Sequence, residues 1–413
     1  MRIVKGKAAE SVVNKLEQRG SRLEEIEPKV RTIISDVSRS RDKALVRYAT
    51  LWDGLEKGQA LRVSETEIAV AWQETPQDIR AALREAAANI RRFCRWQMPR
   101  EWRKKVDGGE LGQLVRPLGS VGCYVPGGRH PLPSTLLMTV IPAQVAGVGR
   151  IVVVSPRPQP ATLAAAALLG VTEVYRCGGA QAIAALAYGT ETIAAVDKIV
   201  GPGNAFVTAA KKLVGFDCAI DMLAGPTEAV VYNDSGTPEF LASDIVAQAE
   251  HDPDAVVVAV TMKPGFAKSI RRAVQVQSRG NPIAKAAIRR SGYVLLADSR
   301  QQAMGWVNRL APEHLTIAKG DLAAVQNAGS VFIGDYSPQS AGDYAAGPNH
   351  VLPTAGAARF RGGLSVYDFL KIITVQSFSR SALERIAGTV VTLAEAEGLK
   401  AHAESVRLRC AHA

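Results

Sequence analysis

Three absences narrow the classes of protein to which this chain can belong. It has five cysteines, an odd number, and no two form a CxxC pair, so neither a disulfide framework nor a thiolate metal site is indicated. No apolar run approaches the roughly 18 residues that a membrane span needs, and the opening MRIVKGKAAE lacks the apolar segment of a signal peptide. The sequence therefore predicts a soluble cytoplasmic protein that neither enters a membrane nor is exported. The cysteines are Cys94, Cys123, Cys177, Cys218 and Cys410.

The chain has 413 residues, enough for two or three domains, and a formal net charge of +11. Residues 1–105 carry 23 basic and 15 acidic side chains, whereas residues 124–228 carry 7 and 6. The densest basic stretch, residues 91–105, also contains aromatic residues and could in principle clamp a nucleic acid strand. A solvated helix face followed by a loop explains it more simply, and we expect no nucleic acid partner.

The pattern of apolar residues changes along the chain. The first hundred residues are typical of helices. From about Leu111, short β-branched runs alternate with Ala-rich segments, which is typical of βαβ units and a mostly parallel sheet. The fold class predicted is therefore α/β, with a polar helical tail from about Ser381 that we expect to pack against another element or subunit. The strand candidates are RIVVVS at 150–155, DKIV at 197–200, DAVVVAVT at 254–261 and GYVLLAD at 292–298.

Four glycine-containing turns fall where strands are expected to end, and ligands of open α/β sheets bind at that edge. None matches the GxGxxG fingerprint followed by an acidic residue about twenty positions later, so a nucleotide cofactor is permitted by the fold without being indicated by a motif. The turns are residues 125–128, 177–181, 201–204 and 224–227.

Only six histidines are present, and four of them stand near groups that could share their chemistry. Glu313 and His314 are adjacent, which joins the two side chains best suited to proton transfer near neutral pH. Gln248 and His251 are three positions apart near the end of a predicted helix, where they could share a cation. The other two pairings are Asp343 with His350 and Glu397 with His402. The alternative for Glu313 and His314 is an exposed pair that is adjacent by chance, and a solvated helix end explains Glu397 with His402 equally well.

Taken together and in order, seven segments of the chain resemble histidinol dehydrogenase. The similarity covers essentially the whole chain after the N-terminal helices and does not depend on one common motif. The segments are GSVGCYVPGGRHPLPSTLLMTVIPAQVAGV, VDKIVGPGNAFVTAAKKLVG, IDMLAGPTE, AQAEHDPDA, APEHL, GDYAAGPNHVLPTAGAARFRGGLSVYDFL and AEGLKAHAESVRLR.

The resemblance implies two Rossmann-like α/β domains, incomplete and doubly wound, with small helical extensions at both ends. Residues 1–17 would form an N-terminal helical arm, and residues 18–123 with 228–370 the first α/β domain. Residues 124–227 would form the second domain, and residues 371–413 a helical tail that reaches the partner subunit of a homodimer.

The resemblance also implies a zinc site and an acid–base pair. One Zn²⁺ per subunit would be held by Gln248, His251, Asp343 and, from the partner subunit's tail, the residue matching His402. Glu313 and His314 would be the catalytic residues.

The implied reaction is the oxidation of L-histidinol to L-histidine through the aldehyde, using two NAD. The zinc ligands and His314 would also contact the substrate, together with Thr227, His350 and Glu397. Tyr124, Gln181 and Asn204 would lie near the nicotinamide cofactor.

Two features depart from the family pattern. Arg129-His130 is an unusual pair at the cofactor edge, and Thr227 stands where serine is commoner, with the hydroxyl retained. An alternative is a relative on the same scaffold that oxidises another small polyol, such as a sulfonated diol. Its differences are expected around the PGG turn and in the APEHL and GDY segments, which here have the histidinol dehydrogenase form.

Overall fold

The fold is known from a computed structural model that describes residues 1–19, 23–127 and 131–411. Its strands are β1 Arg2–Lys5, β2 Trp102–Val106, β3 Gly109–Pro117, β4 Ser120–Tyr124, β5 Arg150–Val154, β6 Val174–Tyr175, β7 Lys198–Val200, β8 Ala219–Ile220, β9 Glu228–Tyr232, β10 Val256–Thr261, β11 Gly292–Leu296, β12 His314–Ile317, β13 Ser330–Ile333 and β14 Leu370–Phe378.

The α-helices alternate with these strands through most of the chain. They are α1 Gly6–Glu17, α2 Glu27–Tyr48, α3 Glu65–Glu74, α4 Gln77–Gln97, α5 Pro133–Ala146, α6 Pro160–Leu168, α7 Gly179–Tyr188, α8 Ala205–Val214, α9 Pro238–Ala249, α10 Pro264–Gln277, α11 Pro282–Ser291, α12 Arg300–Leu310, α13 Gln339–Tyr344, α14 Arg380–Ala396 and α15 Lys400–Ala411.

The first compact unit comprises residues 1–97 and 118–369 and contains two parallel sheets. One has five strands in the order β6-β5-β4-β7-β8. The other has six strands in the order β1-β11-β10-β9-β12-β13. Both predicted features, parallel strands and an α/β class, are confirmed. Strands buried on both faces need apolar residues at every position, which is why the β-branched runs identified them.

Helices cover both faces of the six-stranded sheet. One core joins the sheet to α1 and α12 through residues such as Val13, Val258 and Val307, and the opposite core joins it to α9, α10 and α11. In the five-stranded sheet, α2, α7 and α8 share a core with Val154 and Ile199, while α5 contacts β4 and β5. The chain begins with β1 as an edge strand, so the expected helical arm 1–17 starts with a strand and continues as α1.

The second compact unit comprises residues 98–117 and 370–411 of the described chain. It holds an antiparallel sheet of three strands in the order β14-β3-β2, followed by α14 and α15. The expectation that a loop ends the basic segment 91–105 is wrong, because residues 102–106 form strand β2. Five exposed residues form this strand by pairing with β3. The helical tail expected from about Ser381 is confirmed by α14 and α15, but the wider range 371–413 is not wholly helical, because residues 370–378 form β14. The four-part domain division stays a prediction.

Within the described residues, no helix combines the length and the apolar character that crossing a membrane would require.

The glycine turns differ in which end of a strand they occupy. Residues 177–181 follow β6 and residues 201–204 follow β7, so both lie at carboxyl ends of the five-stranded sheet. The turn 125–128 follows β4, with its last residue outside the described ones. The turn 224–227 was wrongly expected at a carboxyl end: it precedes β9 and lies at that strand's amino end. This segment connects β8 of the five-stranded sheet to β9 of the six-stranded sheet. A connection between two sheets has no recognisable local sequence pattern.

A buried ion pair holds the turn at 201–204. Lys211, 2% exposed, pairs with Asp221 and donates to the carbonyl oxygen of Gly201 at 3.0 Å. Asp221 Oδ2 in turn accepts the N–H of Gly201 at 2.7 Å. Gly201 has φ +112°, and a Cβ there would overlap the carbonyl oxygen of Tyr124. Only glycine fits this position without moving the end of β4.

We expect Gly201→Ala to lower the free energy of unfolding by more than about 1 kcal/mol, because strain and overlap both oppose the new methyl group. The matched control is Gly305→Ala in α12, where no atom lies within 4 Å of the added Cβ. That change should raise stability by roughly 0.5–1 kcal/mol through helix propensity. Urea unfolding of both variants checks this, and equal effects would contradict the role assigned to Gly201.

Candidate active site

The carboxylate of Asp343 joins three elements of the first unit. Asp343 lies on α13, and its Oδ2 accepts a hydrogen bond from Gln248 Nε2 of α9 at 3.1 Å. Its Oδ1 lies 3.1 Å from Nε2 of His314, the first residue of β12. Gln248 is 1% exposed and His314 is 3% exposed. Residues 29 and 95 positions away from Asp343 in sequence thus meet around its carboxylate.

His314 stands between two carboxylates. Its Nδ1 lies 3.6 Å from Glu313 Oε2, too far for a hydrogen bond, and has no hydrogen-bond partner among the described residues. Burial alone would lower the pKa of His314, but Glu313 and Asp343 outweigh it and raise that pKa to about 10. Burial would likewise raise the pKa of Asp343, yet the imidazole lowers it. The imidazole therefore has one nitrogen held by Asp343 and one open towards Glu313.

Glu313 is fixed by the start of the neighbouring strand. Its Oε2 accepts the backbone N–H of Glu228 at 3.0 Å, because β9 and β12 run parallel with His314 opposite Ala229. The Glu228 carboxylate is itself buried and pairs with Arg19, whose Nη2 donates to it at 2.6 Å. Burial raises the pKa of Glu228, against the effect of Arg19.

Neither Glu228 nor Arg19 was among the predicted site residues. An acidic residue directly before the apolar run AVVY, in the segment GPTEAVVY, is unusual at the start of a buried strand and could have drawn attention to Glu228. Nothing in the local sequence distinguishes Arg19 from the other arginines of the N-terminal region.

His350 lies beside the same group. Its Nδ1 is 2.7 Å from the backbone oxygen of Asp343, so that nitrogen carries the hydrogen, since a carbonyl can only accept. Its Nε2 then accepts from the Thr135 hydroxyl at 3.3 Å. Burial lowers the pKa of His350, which favours this neutral form.

Four predicted site residues stand apart from these contacts. His251 follows α9 and is exposed, with its N–H 3.4 Å from the Gln248 carbonyl oxygen. Thr227 is half-buried and immediately precedes Glu228. Glu397 and His402 belong to the second unit, where both are exposed, the first at the end of α14 and the second on α15.

The three predicted cofactor residues lie at carboxyl ends of the five-stranded sheet. Tyr124 ends β4, and its hydroxyl accepts the N–H of Gly179 at 3.1 Å. Gln181, 1% exposed, donates to Asp53 Oδ2 at 2.9 Å. Asn204 is exposed and caps α8, its Oδ1 accepting two backbone N–H groups.

Asp53 was not predicted from the sequence, because its partners are more than a hundred positions away. The unusual pair Arg129-His130 lies outside the described residues.

The oxygen and nitrogen groups around Asp343 are of the kind that zinc prefers. Within residues 1–19, 23–127 and 131–411, no three His, Cys, Asp or Glu side chains are already grouped in a way that could hold a metal ion. Gln248 nevertheless places its amide group against the Asp343 carboxylate through the amide nitrogen, and His251 lies three positions after Gln248, just beyond the end of α9. The donor chemistry on the first unit therefore fits zinc, with further ligands needed to complete a site.

The parallel α/β fold places the buried imidazole of His314 between the carboxylates of Glu313 and Asp343. This arrangement is able to transfer protons and is typical of an enzyme. Comparison with known proteins makes the assignment specific. The family model for histidinol dehydrogenase matches residues 16–410. The histidinol dehydrogenase of Methanothermobacter thermautotrophicus is 48% identical over 395 residues, 92% of each chain. That of Haloarcula marismortui is 49% identical over 393 residues, also 92% of each chain.

A solved structure agrees. The crystal structure of histidinol dehydrogenase from Elizabethkingia anophelis matches with a TM-score of 0.94 at 36% identity, covering 99% of this chain and 98% of that one. The chain belongs to the histidinol dehydrogenase family, a family of oxidoreductases, and the resemblance found in the sequence is confirmed.

Replacing Arg19 with Met should lower the free energy of unfolding by about 3–5 kcal/mol, because it leaves the Glu228 carboxylate buried without its partner. Adding Glu228→Gln should recover part of the loss by removing that charge. Urea unfolding measures both. The control is Arg31→Met, whose side chain is 67% exposed and 3.9 Å from Glu27. An Arg19→Met effect as small as that of the control would show that the buried pair contributes little.

Proposed function

We propose that the protein is a zinc-dependent enzyme that oxidises L-histidinol to L-histidine through L-histidinaldehyde, reducing two NAD. The observation that carries the proposal is the position of His314. Its buried ring is held by Asp343 on one side and faces Glu313 with an unpartnered nitrogen on the other. This is the arrangement that a proton-transferring pair requires.

In the first oxidation, the substrate alcohol loses a hydride to NAD and its hydroxyl proton to His314. A cation held by Asp343 would neutralise one of the two carboxylates beside the ring and so would lower the pKa of His314 towards the range of a base. In the second oxidation, Glu313 takes a proton from water as the water adds to the aldehyde. Addition of the deprotonated water would give the alkoxide of the hydrate, which would pass its hydride to a second NAD and thereby become the carboxylic acid.

The proposed zinc ligands are Gln248, His251, Asp343 and His402. Zinc supplies a Lewis acid that binds nitrogen or oxygen atoms of a substrate and fixes their position. Gln248 and Asp343 already lie in contact and are mostly buried, which keeps their orientation defined before any ion binds. His251 and His402, both exposed, would contribute imidazole nitrogens.

Substrate and cofactor would contact different sets of residues. We assign the substrate to the zinc ligands, His314, Thr227, His350 and Glu397, whose carboxylate suits an ammonium group. Tyr124, Gln181 and Asn204 would contact NAD, in keeping with ligand binding at the carboxyl edge of parallel strands. No nucleic acid or membrane partner is proposed, and the protein is expected in the cytoplasm.

We further propose a homodimer in which His402 and Glu397 complete the site of the partner subunit. Both residues are exposed on the helical tail, and neither side chain has a hydrogen bond or ion pair with another described residue. The exposed apolar residues of the same tail, Ile386, Leu393, Leu399 and Leu408, are what a subunit interface would cover.

Protein whose zinc content has been measured, supplied with histidinol and NAD, should form about two NADH for each histidine produced. Treatment with a chelator should abolish turnover, and zinc should restore it. Glu313→Gln should slow histidine formation by a factor of about 10²–10⁴, with the aldehyde oxidation the more affected step, because the water loses its base.

The control for this assay is Glu384→Gln, an exposed residue in an ion pair on α14. Failure to reduce NAD with histidinol and added zinc would contradict the proposal. Turnover of another small alcohol from a panel of polyols, with none of histidinol, would instead support the alternative of a different substrate.

Mixing two inactive variants tests the shared site. His402→Ala and His314→Ala homodimers should each be inactive, since every site lacks one residue. After subunit exchange at equal amounts, half of the dimers are hybrids with one intact site, so about a quarter of wild-type activity should return. Lack of recovery, with exchange verified by two different mass labels, would mean that each subunit builds its own site.

A further inference from the structure

A second group of three polar side chains lies next to Gln248, His314 and Asp343, one helical turn earlier on α9 and α13. Asp244 of α9, Thr316 of β12 and Gln339 of α13 are 6%, 2% and 0% exposed. Gln339 Nε2 donates to Thr316 Oγ1 at 3.0 Å, and Thr316 Oγ1 donates to Asp244 Oδ2 at 3.2 Å. Asp244 Oδ1 accepts the backbone N–H of Gln339 at 3.1 Å, which closes the ring. We call these residues the lower triad.

The lower triad draws on the same three elements as the site residues above it. Asp244 precedes Gln248 by four positions on α9, so both lie on one face of the helix. Thr316 follows His314 by two positions on β12, which places both on one face of the sheet. Gln339 precedes Asp343 by four positions on α13, again on one helix face. Each member of the lower triad is thus paired with one member of the site.

The element that most needs such a tie is α13. It has only six residues, too few to be stable as a helix without tertiary contacts. Its first backbone N–H, that of Gln339, is bound by Asp244. The bonds from Gln248 and His314 to Asp343 restrain the other end of the helix only through side chains that must also serve a ligand.

We propose that Asp244, Thr316 and Gln339 are positioning residues that fix α13 against α9 and β12, and so set where Asp343 stands relative to Gln248 and His314. None of the three is among the residues proposed above to contact substrate or zinc. The inference rests on the proposed function only where it concerns zinc. Because buried polar groups joined by hydrogen bonds permit few alternative arrangements, loss of one member releases the placement of the helix, although Gln339 Oε1 itself has no partner within the described residues.

Thr316 offers the sharpest test, because two substitutions separate its hydroxyl from its shape. Thr316→Val keeps the shape and leaves Asp244 Oδ2 and Gln339 Nε2 without their partner, whereas Thr316→Ser keeps the hydroxyl. In the full-length protein, zinc affinity measured by competition with a chelator should fall about 10–100-fold in the valine variant. The serine variant should restore most of it.

The matched control is Thr261→Val at the end of β10. Thr261 is 0% exposed and donates to Asp234 Oδ1 at 2.7 Å, so it loses a similar buried hydrogen bond in the same sheet. It contacts none of the lower triad. The control should lose stability in urea unfolding much as Thr316→Val does, with zinc affinity unchanged.

A crystal structure of Thr316→Val supplies a readout independent of metal and turnover. We expect the Asp343 carboxylate to leave the 3.1 Å contacts with Gln248 and His314. Wild-type zinc affinity and unchanged contacts in this variant would overturn the inference, as would an equal loss of affinity in the Thr261→Val control. If the wild-type protein binds no zinc, the zinc proposal fails and the crystal structure alone decides the positioning role. Should Thr316→Val not fold, Gln339→Leu is measured in the same way.

Discussion

The site depends on one buried charge, the carboxylate of Asp343, and on how it is compensated. A carboxylate removed from water is costly unless hydrogen bonds or opposite charge replace its hydration. Here Gln248 and His314 supply those bonds from two other elements, each at 3.1 Å. Because no residue of α13 itself does so, the short helix, the long helix α9 and the strand β12 must come together for Asp343 to be tolerated.

The topology explains how distant segments reach this carboxylate. Glu228 and His314 begin β9 and β12, so the group lies at the amino edge of the six-stranded sheet. A helix that returns along a parallel sheet ends at the amino edge, which is where α9 delivers Gln248. The proposed cofactor residues instead occupy the carboxyl edge of the five-stranded sheet, beside Tyr124. The segment between β8 and β9 passes from one sheet to the other, so both edges belong to one continuous unit.

The local sequence pattern was sufficient to predict those features that depend on the periodicity of apolar residues or on adjacency in the chain. It predicted the parallel strands, the Ala-rich helices and the helical tail, and it singled out Glu313 with His314 because they are adjacent. It was insufficient where a residue acts through a distant partner. Arg19 meets Glu228 across 209 positions, and β3 meets β14 across more than 250, so neither pairing leaves a local signal. Asp244, four positions before Gln248, has the appearance of any polar helix residue until Gln339 is placed against it.

The charge distribution argues for a cationic ligand, although the chain as a whole is basic. The group around Asp343 contains four carboxylates that are buried or nearly so, Asp343, Glu313, Glu228 and Asp244, and two cationic groups, Arg19 and His314 when protonated. Burial raises the pKa of Glu228 and of Asp244, and the neighbouring carboxylates of Glu313 and Asp343, respectively, add to that rise. The +11 of the chain is concentrated in residues 1–105, most of whose basic side chains are exposed, and does not offset this excess. A ligand that carries positive charge, whether a divalent metal ion or a substrate with an ammonium group, would supply the missing compensation, and an anionic substrate would have to enter against it.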